Sequence, residues 1–208
     1  MRLPYAPRTP PPASSPSTTT AYTHLSARRS PAPLLDLDLT LLHSPPVAAG
    51  WSSFFGAIRT QTTLSAAIRE LCICRIAVLN GAEYEWMQHV PLLREAGVGE
   101  RAVQEIQRRK AWRGWGGGGL DKAGAEGEGE GGEDDYGGLN EEQRAVLAYT
   151  DAMTVGVKVS EEIFAEVRRR FDERGVVEIT ATVAGYNCVS RFLVALDVGE
   201  VGEGKKVE

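Results

Sequence analysis

The stretch RELCICRIAVLNGAEYEWMQHVPLLREAGV, residues 69–98, decides how this chain folds. Across residues 62–80 the apolar positions Leu64, Ile68, Leu71, Cys72, Ile76 and Leu79 recur at threes and fours, which places them on one face of a helix. Asn80-Gly81 supplies the stop, because glycine enters the left-handed conformation that closes a helix at little cost. A second helix is expected over residues 82–96, closed by Gly97. On it Glu85 and His89 stand four apart and share a face. Glu70, twelve residues before Ala82, sits on the first helix, and an antiparallel turn can bring its carboxylate back toward the second. A carboxylate beside an imidazole orients the ring and raises its proton affinity, as general acid–base chemistry requires. The same spacing also fits an ordinary helix pair worth a few tenths of a kcal/mol. Spacing alone does not separate the two readings.

Working outward, VAAGWSSFFGAIR (47–59) reads as a short helix after a break at Pro45-Pro46, and ERAVQEIQRRK (100–110) as another with a basic last turn. LNEEQRAVLAYTDAMTVG (139–156) opens with Asn140 and Gln143 at capping-box spacing. VSEEIFAEVRRRFDERG (159–175) is opened by Ser160 and is expected to close at Gly175. The last element, residues 176–199, is long and apolar and reads as a central helix. Alternating strand patterns are lacking, so the expected class is all-α: one helical domain over residues 34–199. Residues 1–33, rich in Pro, Ser and Thr, are expected to form a disordered tail, residues 112–138 a flexible acidic Gly-rich insertion, and 200–208 a flexible end.

Composition narrows the partners. The formal charge is -5, and residues 121–138 carry seven acids against one lysine, so the remainder is close to neutral. That balance points to neither nucleic acid nor an anionic membrane. No run approaches the roughly 18 apolar residues of a membrane span. The first 35 residues hold four arginines and no acid, a faint transit-peptide signal, but ten of the eleven prolines lie in residues 1–46 and oppose an amphipathic helix there. The expected compartment is cytoplasmic, with mitochondrial as the alternative. Three cysteines suit reduced thiols. Cys72 and Cys74, two apart on a helix, point about 200° away from each other and are poorly placed for a disulfide.

Residues 69–98, together with LLHSPPVAAGWSSFFGAIR (41–59) and YNCVSRFLVALDVG (186–199), resemble the carboxymuconolactone decarboxylase and alkyl hydroperoxidase D-like superfamily. The resemblance implies a compact helical unit assembling as homo-oligomers, trimers or hexamers. Its hydroperoxidase-type members carry Cys-x-x-Cys with a histidine four residues after the second cysteine and a glutamate twelve before the first. Here those cysteine positions are Ala82 and Glu85, while Glu70 and His89 match. Alanine and a carboxylate cannot do thiol chemistry. The decarboxylase-type members are similar to this chain in lacking the pair, and they act without metal or organic cofactor on a small acidic lactone in a pocket at or near a subunit interface.

The resemblance implies catalytic roles for His89, Glu85 and Glu70, with protonated His89 as proton donor and Glu85 setting its tautomer. Tyr84 and Trp86 are candidates for pocket walls. Arg75 either binds a substrate carboxylate or pairs with a glutamate, and His43 either caps a helix or faces the pocket. Asn187 and Arg191 are expected to bridge helices or subunits. Two other readings stay open: a hydroperoxide-reducing protein, and a non-catalytic helical oligomer that binds a metabolite or partner.

Overall fold

The structure is a computed structural model that describes residues 1–108 and 136–199. All regular structure among them is helical, in agreement with the expected class. The helices are α1 (Pro16–Arg29), α2 (Asp36–Leu41), α3 (Pro45–Thr60), α4 (Ala66–Asn80), α5 (Glu83–Glu95), α6 (Glu100–Gln107), α7 (Glu141–Asp151), α8 (Glu161–Arg168) and α9 (Glu173–Leu196). The expected insertion at 112–138 lies outside the described residues except for a 3-10 turn at Tyr136–Gly138, and the expected flexible end at 200–208 lies outside them entirely. Where a single domain was expected, the chain divides into two compact units, one of Met1–Thr62 with the segment from Phe192 on, the other of Thr63–Arg191.

In the second unit α4 is the central element. Ser65 caps it by accepting a bond from the Ile68 amide, and Leu71, Cys72, Ile73, Cys74 and Ile76 are sealed from solvent. Helices α5, α6 and α7 all pack on it. Gly81 closes α4 at φ 65°, as the Asn-Gly signal predicts, and α5 runs back antiparallel. Gly137, also at φ 65°, lies so close to the backbone of Arg101 that a Cβ there would collide with it. Asn140 and Gln143 form the expected reciprocal cap of α7, which ends in a π-helical turn over Ala152–Gly156.

Two helix ends differ from expectation. Helix α8 stops at Arg168, and Gly175 lies inside the first turn of α9 rather than closing a helix. The cause is Asp172, whose Oδ1 accepts the Gly175 amide at 2.8 Å, the geometry of an N-cap. Helix α9 is also long and apolar enough, by length and composition, to cross a membrane, which the sequence reading missed. Its buried residues Ile179, Val183, Tyr186, Val189 and Leu193 recur at threes and fours, the stripe of a core helix.

In the first unit the expectation of a disordered tail over 1–33 is corrected. Ser15 caps α1 through the Thr18 amide, and Pro16 sits at the first helical position, where a missing N–H costs nothing. Tyr22 and Leu25 are buried, and the Tyr22 hydroxyl donates to the Pro7 carbonyl at 2.8 Å. Arg28 and Arg29 both bond the buried carboxylate of Asp38. Composition suggested disorder because it counts prolines without noting where they fall. Likewise Pro45 and Pro46, read as a break, open α3. Within the same unit Trp51 of α3 stacks near Phe55 and Phe192.

Candidate active site

The α4–α5 hairpin brings Glu70 and His89 together. His89 Nδ1 lies 2.7 Å from Glu70 Oε2, and both residues are buried, His89 at 9% exposure. A carboxylate can only accept, so Nδ1 carries the proton and Nε2 is the nitrogen through which the neutral ring accepts one. The expectation gave the orienting role to Glu85; the carboxylate bonded to Nδ1 is that of Glu70. Sharing a helix face set Glu85 one turn from His89, but the turn at Gly81 places the facing helix closer. Glu85 is buried in the same hairpin. Arg69 Nε donates to the other oxygen of Glu70 at 3.2 Å, so Glu70 bridges a guanidinium and an imidazole. From α9, the ring of Tyr186 meets that of His89 edge-on, with centroids 5.4 Å apart and planes at 87°.

The two thiols of α4 are held protonated. Burial pushes the Cys72 thiol up to about 12. Burial also pushes the Cys74 thiol up, reinforced by the charges of Glu70 and Glu85. Neither is poised as a thiolate nucleophile. The third, Cys188, is exposed on α9.

Arg75 is a correction. Its guanidinium forms a two-point ion pair with Asp151 of α7, Nε to Oδ1 at 2.5 Å and Nη2 to Oδ2 at 2.7 Å. Its Nη1 reaches the carbonyls of Ile106 and Arg108 at the end of α6. At 2% exposure it ties three helices together, and its partner is an aspartate rather than the glutamate considered. His43 lies in the first unit, exposed, with Nε2 2.7 Å from the Pro4 carbonyl. Tyr84 and Trp86 are half-buried on α5. Asn187 bridges as expected, donating to Thr154 Oγ1 at 2.9 Å and accepting from Asn80 Nδ2 at 3.1 Å; Arg191 bonds Asn187 on the same helix. Sequence reasoning missed Arg69 and Tyr186. Adjacent residues on a helix do not face each other, so Arg69 carries no periodic signal. Tyr186 lies far along the chain from His89, where spacing says nothing.

The sequence model of the carboxymuconolactone decarboxylase family matches residues 45–121, a span that includes Glu70, Glu85 and His89. Solved structures with the same fold include the alkylhydroperoxidase AhpD core protein of Ralstonia eutropha, a peroxidase-related protein. It is 16% identical, with 97% of this chain and 93% of that one covered and a TM-score of 0.69. Over residues 45–121 the chain is thus similar to the carboxymuconolactone decarboxylase family, and its fold is shared with AhpD-like structures. A peroxidase-related protein of Silicibacter sp. is 14% identical over 94% of this chain and 91% of that one, at a TM-score of 0.66. The debrominase Bmp8 is 17% identical over 91% and 89%, at a TM-score of 0.61. No curated protein matches the chain. At such identities these structures share the fold of this chain, and the reaction must be argued from its site.

Proposed function

We propose that this protein is a carboxymuconolactone decarboxylase-like enzyme, performing cofactor-independent acid–base chemistry on a small carboxylated lactone or related metabolite. The observation that carries the reading is the buried Glu70–His89 pair at 2.7 Å, on a hairpin whose own thiols are held protonated. Loss of carbon dioxide from a lactone acid breaks the bond to the carboxyl carbon and leaves its electron pair on an enolate of the ring. That enolate must be protonated. His89, in its imidazolium form, gives up a proton from Nε2, while Glu70 holds Nδ1 and balances the charge that the ring carries beforehand. Glu85 adds a second buried carboxylate to the site, and Tyr84 and Trp86 form wall candidates beside it.

A dithiol peroxidase mechanism finds no support in positions 82 and 85, occupied by alanine and glutamate. Self-assembly is part of the proposal, supported by Met87 and Leu92, which α5 leaves exposed; light scattering on the purified chain should give a homo-oligomeric mass. The deciding experiment is turnover of 4-carboxymuconolactone by wild type and by His89→Ala at matched oligomeric state. Loss only in the variant, with helicity retained, supports the reading. A variant that turns over like wild type removes His89 from the chemistry.

A further inference from the structure

The site as built holds two buried carboxylates, Glu70 and Glu85, while Arg75 is committed to Asp151 and to the end of α6. An organic acid arriving beside His89 meets like charge there and needs a cation to hold it. Arg69 supplies one. Its Nε bonds Glu70 Oε1 at 3.2 Å, and Glu70 Oε2 bonds His89 Nδ1 at 2.7 Å, so a single carboxylate separates guanidinium from imidazole. Side chains of adjacent helical residues diverge by about 100°, so this contact is not a by-product of the helix; the Arg69 side chain is turned onto Glu70.

A guanidinium carries five N–H donors, and Glu70 engages one of them. Among the described residues, Arg69 Nη1 and Nη2 make no hydrogen bond. Nor are they sealed, because the Arg69 side chain is 18% exposed, against 2% for Arg75. We infer that Arg69 is the residue that recognises the substrate's acidic group, its terminal Nη1–Nη2 edge taking a carboxylate of a small organic acid. The planar fork of arginine matches a carboxylate at two points, which a lysine in the same place cannot do. The substrate class thus narrows to carboxylated molecules small enough to reach both Arg69 and His89. The inference rests on the acid–base reading for what happens after binding, but binding itself can be tested alone. The plainer role, that Arg69 only neutralises Glu70, predicts no preference for an anionic ligand.

The test uses the full chain and a pair of probes, γ-butyrolactone γ-carboxylate and its neutral primary amide, followed by the imidazole resonances of His89. Wild type should bind the carboxylate saturably and at least tenfold more tightly than the amide. Arg69→Gln should lose at least tenfold in carboxylate affinity and most of the preference over the amide. Arg69→Lys, which keeps the charge without the fork, should fall between and decides the matter if the glutamine variant loses its helicity. Carboxylate affinity that is equal in wild type and both variants overturns the inference, as does a wild type without preference for the carboxylate or without binding. Turnover of 4-carboxymuconolactone keeps the two ideas apart. An active wild type with Arg69-independent binding sinks the anion role alone, while Arg69-dependent binding without turnover sinks the reaction alone.

Discussion

At the scale of single residues, burial decides chemistry more than residue type does. Three cysteines are present, yet two of them are sealed in α4 and one is exposed. With native protein near neutral pH, one equivalent of a thiol reagent should react quickly at Cys188, and the other two only on unfolding; fast labelling of all three would contradict the buried, raised-pKa environment. The sign for stability follows from the same shift. The unfolded Cys72 thiol ionises near 9.0 and the folded one only near 12, so between these values the unfolded chain binds fewer protons. Stability is therefore intact below pH 9 and falls as pH rises toward 12, by at most about 1.4 kcal/mol per pH unit for that thiol. Cys74 acts in the same direction. Thermal melts across pH 8–11 of wild type and Cys72→Ala should show the slope, and its reduction in the variant.

Arg75 makes a second case. Arg75→Met removes the two-point ion pair from the carboxylate of Asp151, which is 2% exposed, and should cost about 3–5 kcal/mol in denaturant titration. Replacing Arg75 and Asp151 together by apolar residues should restore a large part of that. A variant that lost only substrate affinity, with stability intact, would return Arg75 to the binding role expected from sequence. At His89 the sequence supplied the residue, and the fold supplied its partner from across the hairpin.

At the scale of elements, turns are where the chain commits itself. Gly81 sits at φ 65° with open space around it, so Gly81→Ala meets only the left-handed backbone penalty, about 1–2 kcal/mol. Gly137→Ala faces a similar φ and also a collision with the Arg101 backbone, and should cost distinctly more. Chemical denaturation of both variants checks the order; equal losses would mean that the 3-10 turn does not press on α6 as described. The hairpin stop at Asn80-Gly81 was legible because its cause is local. The start of α9 was misplaced because Asp172 and Gly175 read equally well as a helix end or as a cap, and the choice depends on which carbonyls and amides the surroundings leave open.

At the scale of the molecule, the chain's first third is part of its fold. Asp38, with 0% exposure, accepts from Arg28, Arg29 and the Leu35 amide, which ties α1 to α2. Deleting residues 1–33 should therefore lower the thermal midpoint and expose a buried carboxylate, whereas removal of a disordered tail would be silent. Asp38→Ala in the full chain should reproduce much of that loss and make α1 sensitive to limited proteolysis. An unchanged midpoint in both would restore the tail reading.

Helical class, the α4 and α5 positions, the capping box of α7 and the presence of Glu70, Glu85 and His89 on one hairpin were determined by the sequence itself. Each depends on contacts within about four residues or on a turn between neighbours, and local spacing encodes those. Only the tertiary structure decided that Glu70 orients His89, that Arg75 belongs to Asp151, that Tyr186 packs on the imidazole, and that α1 is docked. These pairings join residues far apart in the chain, chosen by which groups must be desolvated together, and burial is a property of the whole fold.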